Sequence, residues 1–445
     1  MNVVAGFTKG CLKMPTLNFP RMLLVRQALP DLRISDVRGE VTRQLVASPL
    51  ASRLKSGSRV AIGVGSRGIN NMAAVARATV DYWKVQGMQP FVFPAMGSHG
   101  AATAEGQAEV LAGYGITEQT MGCPVLSQLE VVPLGKTEDG IETFMDRLAF
   151  ESEGVMLINR VKWHTDFVGK IESGLFKMMA IGLGKLAGAQ RYHTHAYKIG
   201  LERVIRSVGR QVLKSGKVLG GLALLEDAHH NTAKLDAVPA EEMEQREEAN
   251  LALVKSWMAR MPTDLDILIV DEIGKDISGA GMDTKVINRS VLGPYNPFPD
   301  LPKVERIFAR DLTAASNGNG VGIGLADVVS DRLVNKVDWL PTRINSLSSS
   351  STFCLRTPIH FSSDRESLAC LLPTVGKLEL GAVTIGWIRN TLELSVLALS
   401  ENLQQQIKRK STLEILSPPF PLEFDASGNL IDFRTTANAA VSTAP

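Results

Sequence analysis

Short apolar runs alternate with helix-length amphipathic segments along this chain. The runs at 59–65, 90–97 and 154–159 have the length and apolar character of buried strands. The segments at 69–87 and 102–116 have helical periodicity and lie between those runs. Strands that alternate with helices are typical of a parallel sheet covered by helices on both faces. The sequence therefore predicts an α/β fold.

A second series of apolar runs begins after Pro262 with the run at 264–274. A chain of 445 residues is long enough for two domains. We predict one α/β domain over residues 1–262 and another over 263–445, with an active-site cleft between them. The tail at 435–445 is rich in small and polar residues, and we predict that it is disordered.

Composition excludes several classes of protein. The net charge of +2 gives no indication of a nucleic-acid or membrane surface partner. No apolar run approaches the ~20 residues that a membrane-spanning helix needs, and the N-terminus has no signal-peptide pattern, so we expect a cytoplasmic protein. The cysteines form no C-x-x-C pair, which argues against a disulfide framework or a structural zinc site; they are Cys11, Cys123, Cys354 and Cys370.

The segment from Gly63 to Gly68 has the form G-x-G-x-x-G between a predicted strand and a predicted helix. A dinucleotide-binding site would also need an acidic residue at the end of the second strand to bind a ribose. That position is occupied by the segment 94–99, which contains no acid, so an NAD site is disfavoured. The glycine N–H groups with Ser66 and Arg67 are still suited to bind an anion at a helix N-terminus.

Two histidines follow predicted strands in the same way. His99 is flanked by Gly97 and Gly100 after the strand at 90–97, and His164 follows the strand at 154–159. The carboxyl ends of parallel strands form the ligand-binding edge of an open α/β sheet. Two histidines at that edge can face each other across a substrate, one base on each face of a stereocentre, as a racemase requires.

The segment 159–195 concentrates histidine and lysine among small and apolar residues. A lysine in an apolar setting can act as a nucleophile, because desolvation lowers its pKa. Gly182-Leu-Gly-Lys185 does not have the spacing of a phosphate-binding P-loop, and Leu186 follows the lysine where that motif has Ser or Thr. A phosphate-binding role for this glycine pair is therefore not predicted.

Ser173-Gly-Leu-Phe-Lys177, followed sixteen residues later by His193, resembles the lactate racemase family. Enzymes of that family carry a nickel-pincer nucleotide, pyridinium-3,5-bisthiocarboxylic acid mononucleotide nickel. The resemblance implies that Lys177 bonds covalently to this cofactor through a thioamide and that His193 ligates the nickel in a square-planar set. The other predicted cofactor contacts are Gly63, Ser66, Arg67 and Ser173.

The same resemblance assigns the remaining site residues. It implies that His99 and His164 are the two catalytic bases. Arg67 matches a family arginine in the first strand-to-helix loop, and the segment 274–277 matches one that opens the family's second domain. Arg67 and Lys275 are therefore expected to bind the substrate carboxylate or the cofactor phosphate through charge-assisted hydrogen bonds.

The activity implied is racemisation or epimerisation at C2 of a 2-hydroxy acid, by hydride transfer to and from the cofactor. Phe176 stands where lactate racemases carry arginine, and three extra residues separate His164 from the S-G segment. These departures allow a larger substrate, such as a sugar acid. Expected partners are that small molecule and the enzymes that make the cofactor. The alternatives are a non-catalytic nickel-nucleotide carrier and an NAD-linked hydroxyacid dehydrogenase.

Overall fold

The computed structural model of the chain describes residues 19–65, 68–165, 167–293, 295–348 and 351–442. The chain divides into two compact units. We call Pro30–Met258 the inserted unit. We call the other the split unit, because it combines Ala259–Pro445 with the described part of Met1–Leu29.

The strands in chain order are β1 (Met22–Gln27), β2 (Arg59–Val64), β3 (Gln89–Pro94), β4 (Val131–Lys136), β5 (Glu142–Asp146), β6 (Gly154–Val161), β7 (Val218–Glu226), β8 (Thr232–Pro239), β9 (Leu265–Ile273), β10 (Val304–Leu312), β11 (Val328–Ser330), β12 (Ile359–Phe361), β13 (Ile385–Ile388), β14 (Val396–Ser400) and β15 (Leu413–Ile415). The helices are α1 (Val37–Val46), α2 (Met72–Val85), α3 (Ala104–Gly113), α4 (Glu118–Met121), α5 (Arg147–Glu151), α6 (Leu175–Lys177), α7 (Lys185–Ile199), α8 (Leu201–Lys214), α9 (Met243–Trp257), α10 (Asp331–Lys336), α11 (Trp339–Ser348), α12 (Asp364–Leu371), α13 (Gln404–Lys408) and α14 (Phe433–Ser442). A π-helical turn, Met178–Gly182, continues α6.

The main sheet of the inserted unit has the order β3-β2-β6-β7-β8. The pairs β3–β2, β2–β6 and β6–β7 are parallel, and β8 is antiparallel to β7. The predicted strands at 59–65, 90–97 and 154–159 correspond to β2, β3 and β6, and the predicted helices at 69–87 and 102–116 correspond to α2 and α3. The α/β fold predicted from the alternation is confirmed.

Both faces of this sheet are buried, which explains why its strands are continuous apolar runs rather than alternating ones. In β6, Val155 and Leu157 pack in the cluster that includes residues of α8 and α9. Met156 and Ile158, which point to the opposite face, pack with residues of α1 and α2. Helices therefore cover the two faces, and the strand ends are left to carry the loops.

The sheet of the split unit has the order β12-β11-β10-β9-β13-β14-β1-β15. Its strands from β12 to β13 are parallel, and β14, β1 and β15 pair antiparallel. Strand β1 belongs to this sheet, because Met22 lies opposite Ser400 and Val25 opposite Ile415. This differs from the predicted domain of residues 1–262, which placed the N-terminal segment with the strands that follow it.

The C-terminal tail also differs from its prediction. Instead of a disordered end, α14 extends over Phe433–Ser442, and residues 443–445 lie outside the described part of the chain. Phe433 and Ala437, one helical turn apart, are buried against Trp387 and the other apolar residues of one core cluster. The prediction was wrong because composition alone did not reveal this apolar face. No helix in the described part of the chain combines the length and apolar character needed to cross a bilayer.

Candidate active site

The loops after β2, β3 and β6 leave the same edge of the inserted unit's sheet, because these three strands are parallel neighbours. Strand β2 lies between the other two, so the loop after it is flanked by the loops that carry His99 and His164. The sequence prediction that both histidines follow parallel strands at one sheet edge is therefore met. Ser66 and Arg67, which belong to the middle loop, lie outside the described residues.

Gly63, a predicted cofactor contact, belongs to the predicted strand at 59–65, and its role stays a prediction. It lies inside β2, opposite Phe93 of β3 and Leu157 of β6. A Cβ atom at Gly63 would lie 3.1 Å from the Phe93 ring and 3.0 Å from the Leu157 side chain. The glycine thus allows close packing within the sheet. The glycines of the G-x-G-x-x-G segment that follow the strand are Gly65 and Gly68.

The helix that carries Lys177, with the turn that continues it, packs directly on the loops after β2 and β3. A Cβ atom at Gly65 would lie 3.2 Å from the terminal methyl carbon of Met178. The N–H of Gly97 donates to the carbonyl oxygen of Gly182 at 3.3 Å, and a Cβ at Gly182 would lie 2.5 Å from the carbonyl oxygen of Ala95. The turn that follows Lys177 is therefore in backbone contact with the loop that leads to His99.

A buried carboxylate fixes the start of this helix. The N–H groups of Leu175 and Phe176 donate to Glu247 at 2.7 and 3.1 Å, so Glu247 takes the place of a local N-cap residue. Burial raises the pKa of Glu247 to about 7, although these two hydrogen bonds act in the opposite direction. Gly174 has a φ of +147°, and a Cβ there would lie 2.7 Å from the carboxyl carbon of Glu247. Only glycine suits this position.

Lys177 ends α6 and is half-buried, and Ser173, just before the helix, is half-buried too. Asn159, near the end of β6, donates from its side-chain amide to the carbonyl oxygen of Gly174 at 2.8 Å. The segment that resembles the cofactor-anchoring motif is thus tied to the sheet by Asn159 and to α9 by Glu247.

The His164 loop is organised around a buried acid. The backbone N–H of His164 donates to Glu172 at 2.6 Å, and that of Gly169 donates to the other carboxylate oxygen at 3.0 Å. Lys255 forms an ion pair with Glu172. The imidazole of His164 lies against the ring of Phe167, with 4.6 Å between the ring centroids. Glu172 thus holds this loop through its N–H groups, and Lys255 also donates to the carbonyl oxygen of Gly169 at 3.0 Å.

The His99 loop is organised around a buried lysine and a buried glutamine. The side chain of Gln107 in α3 donates to the carbonyl oxygens of Gly97 at 2.8 Å and His99 at 3.3 Å. Lys185 donates to the side-chain oxygen of Gln107 at 3.0 Å and forms a 3.1 Å ion pair with Asp146. Burial lowers the pKa of Lys185 and raises that of Asp146, and the ion pair opposes both shifts.

His193, the predicted nickel ligand, is exposed on α7, and His195 is half-buried on the same helix. The neighbouring Tyr192 is buried and its hydroxyl accepts the N–H of Phe144 at 2.9 Å, which holds the other side of α7 to β5. Burial raises the pKa of Tyr192 to about 12. Within the described residues, no group of three or more His, Cys, Asp or Glu side chains is arranged to hold a metal ion.

Lys275, the predicted substrate-binding residue, belongs to the split unit and follows β9. Its backbone N–H donates to the hydroxyl of Ser316 at 2.7 Å. Its side chain donates to the carbonyl oxygen of Gly279 at 2.6 Å and to the side-chain oxygen of Asn345 at 3.1 Å. The role of Lys275 stays a prediction.

Three residues of this sheet edge were not predicted from the sequence, namely Gln107, Glu172 and Glu247. Each is buried, and each binds backbone groups of a loop or helix that carries a predicted site residue. Glu172 directly precedes the S-G segment, which is a sequence signal that could have drawn attention to it. The sequence holds no comparable signal for the other two. The partners of Gln107 lie in an irregular loop, and those of Glu247 are distant in the sequence.

Comparisons with known proteins give limited information. No protein-family model matches the chain, and no curated protein does. Among solved structures, the chain is similar to the lactate racemase apoprotein from Thermoanaerobacterium thermosaccharolyticum, with a TM-score of 0.47 and 13% sequence identity, covering 79% of this chain and 91% of that chain. Any functional conclusion therefore depends on the residues of this chain.

Proposed function

We propose that the protein is an isomerase that inverts C2 of a 2-hydroxy acid, using a nickel-pincer nucleotide attached through Lys177. The observation that carries the proposal is the packing of the Lys177 helix on the loops after β2 and β3. A Cβ at Gly65 would touch Met178, and Gly97 donates its N–H to Gly182. A lysine matching the family's anchor thus lies next to the loop of one proposed base.

The residues present fit such a group. Lys177 is half-buried at a helix end, so part of this residue stays accessible to a bound molecule. Gly68, which follows the loop between the two histidine loops, is exposed and has no side chain that could block a bound group. Lys177 would hold the nucleotide covalently and His193 would ligate its nickel, with the remaining donors belonging to the nucleotide.

When bound, the nickel-pincer nucleotide would accept the C2 hydrogen of the substrate as hydride and return it. The chain itself would move the proton of the substrate hydroxyl. His99 would accept or donate that proton on one face of C2, and His164 would do so on the other. Arg67 and Lys275 would bind the substrate carboxylate through charge-assisted hydrogen bonds.

The attachment is tested by intact-mass spectrometry of protein co-expressed with cofactor-making enzymes. We expect a covalent adduct in the wild type and in Lys198→Ala, a variant of an exposed lysine on α7, but not in Lys177→Ala. His193→Ala should keep the adduct and lose nickel. An adduct that persists in Lys177→Ala would contradict the proposed anchor.

The reaction is tested with 2-hydroxy acids of increasing size, including sugar acids. His99→Ala and His164→Ala should each lower the racemisation rate by about 10²–10⁴-fold while the Lys177 adduct is unchanged. In deuterated water the C2 hydrogen should stay largely unexchanged, because it travels as hydride. Deuterium uptake at C2 at the rate of racemisation would contradict the proposal.

The two alternatives give other results in the same experiments. A non-catalytic carrier would form the adduct and bind nickel but convert no 2-hydroxy acid. An NAD-linked dehydrogenase would form no adduct and would reduce NAD when given a 2-hydroxy acid. The matched neutral 2-hydroxy amide serves as a control substrate, since it lacks the carboxylate that Arg67 and Lys275 are proposed to bind.

A further inference from the structure

Lys185 is a buried cation at the first position of α7. Its side chain is 0% exposed, and its φ of +50° is an uncommon backbone conformation for a residue with a side chain. The ammonium group donates to the carbonyl oxygen of Pro94 at 2.6 Å and to Gln107 at 3.0 Å, and it lies 3.1 Å from an oxygen of Asp146. Two of these contacts are hydrogen bonds, and the contact with Asp146 is an ion pair.

This arrangement fixes the direction of the Gln107 amide. A lysine ammonium can only donate, so the oxygen of the amide must face Lys185. The amide nitrogen then faces the opposite way and donates to Gly97 and His99. The orientation of the Gln107 amide therefore follows from the chemistry of its neighbour.

The backbone at Gly97, which Gln107 binds from one side, packs closely against Ile181 on the other. Gly97 has a φ of +62°, and a Cβ there would lie 2.9 Å from the side chain of Ile181 and 3.0 Å from its carbonyl oxygen. Ile181 belongs to the π-helical turn that follows Lys177. The backbone at Gly97 is thus held between Gln107 of α3 and the turn that follows Lys177.

We propose that Gln107 and Lys185 are positioning residues for His99, an inference that rests on the proposed function because it takes His99 to be a base. Lys185 orients the Gln107 amide. Gln107 binds the carbonyl oxygens of Gly97 and His99, and so fixes the backbone from which the His99 imidazole extends. Neither side chain touches the substrate. Their effect is on the geometry of proton transfer, and a shift of about 1 Å in such geometry can cost ~10²-fold in rate.

The test compares Gln107→Glu with Gln211→Glu. A glutamate at 107 keeps the shape and still offers Lys185 an acceptor, but it has no N–H for the loop carbonyls. Gln211 is a matched control, because its amide also donates to a backbone carbonyl, that of Leu134 at 2.8 Å, outside the sheet edge. Gln107→Met removes the N–H donor without adding a charge. It therefore separates the effect of losing the donor from the effect of the carboxylate that Gln107→Glu adds.

Two measurements are made on each variant. The first is hydrogen exchange of the backbone amides at 96–102 in the protein without cofactor, which needs no assumption about activity. The second is the steady-state rate of the cofactor-loaded enzyme with a 2-hydroxy acid. We expect faster exchange and a kcat lowered by about ten- to a hundredfold in Gln107→Glu and Gln107→Met, with KM and the Lys177 adduct unchanged, and wild-type values in Gln211→Glu.

The outcomes separate this inference from the proposed function. Unchanged exchange at 96–102 in the Gln107 variants would overturn the inference, whatever the activity. Faster exchange with unchanged kcat would also overturn it, since the loop would then move without consequence for His99. If the loaded wild type converts no 2-hydroxy acid while the exchange pattern is as expected, the proposed function fails, and the positioning of a base fails with it.

Discussion

A buried side chain of a different type supports each of the two histidine loops at the edge of the inserted unit's sheet. Gln107 binds carbonyl oxygens of the His99 loop through its amide nitrogen. Glu172 binds N–H groups of the His164 loop through its carboxylate, and Lys255 adds a bond to the carbonyl oxygen of Gly169. The side-chain type in each case follows from which backbone groups the loop turns inward, because a carboxylate can only accept and an amide can do both.

Each loop also depends on a lysine, but in different surroundings. Lys185 and its partner Asp146 are 0% and 1% exposed, whereas Lys255, the partner of Glu172, is 28% exposed. Water can therefore replace part of the Lys255 interaction but none of the Lys185 interaction. The comparison teaches that two loops with similar proposed roles can differ in how strongly one substitution disturbs them.

The largest effect is expected for Lys185→Met. This substitution removes the cation from a fully buried pair and leaves Asp146 as an uncompensated charge. Breaking a buried pair in this way typically costs about 3–5 kcal/mol. Urea unfolding of the apoprotein should show a loss of that size.

The double variant Lys185→Met/Asp146→Asn is the control. Asn at 146 removes the stranded charge and can still accept the N–H of Ala149, which Asp146 caps at 3.0 Å. We expect it to recover part of the lost stability. A double variant no more stable than Lys185→Met alone would show that the stranded charge is not the cause.

A second prediction concerns the pH dependence of stability that arises from Glu247, which accepts the N–H groups at the start of the Lys177 helix. Burial raises the pKa of Glu247 from 4.5 to about 7 in the folded protein, so folding favours the protonated form. Its contribution to stability is fully present below about pH 4.5 and is lost as the pH rises through about 7. The full difference corresponds to roughly 3 kcal/mol.

The measurement is the free energy of unfolding from pH 4.5 to 8 in the wild type and in Glu247→Gln. Glutamine can accept the N–H groups of Leu175 and Phe176 but does not titrate. Relative to this variant, the wild type should become less stable as the pH rises. Parallel profiles would show that Glu247 does not titrate in this range.

The smallest effect is expected at the His164 loop. In Glu172→Gln, the glutamine has only one side-chain oxygen, so its NH₂ group faces at least one of the two loop N–H groups. That N–H group loses its acceptor, and an unsatisfied buried donor costs about 1–3 kcal/mol. Lys255→Met should cost less, because Glu172 keeps its bonds to His164 and Gly169. Hydrogen exchange at 164–171 should accelerate in Glu172→Gln more than in Lys255→Met. The reverse order would mean that the bond from Lys255 to the carbonyl oxygen of Gly169 holds the loop more firmly than Glu172 does.

The strands and their shared edge were predictable, because β2, β3 and β6 are continuous apolar runs ending in glycine-containing loops. The supporting side chains were not. Gln107 lies in an ordinary helical segment, and Glu247 binds the N–H groups of Leu175 and Phe176, more than seventy residues away. Hydrophobic periodicity locates elements, but it does not reveal which polar side chain will meet a backbone group across the fold.

The domain boundary shows a second limit of the sequence. The transition near Pro262 was visible as a new apolar run, and the units divide close to it, at Met258 and Ala259. The assignment of β1 was not visible, since its six residues are compatible with either sheet. Only pairing with β14 and β15, more than 360 residues later, decides where that strand belongs.

The pairing of β1 has a consequence for how the protein forms during synthesis. Strand β1 is synthesised before Pro30–Met258, and its partners β14 and β15 are synthesised after that unit, so β1 must wait unpaired while Pro30–Met258 is completed. Domains generally fold as units as they emerge. The inserted unit can therefore fold first, and the split unit closes only after β14 and β15 have been made.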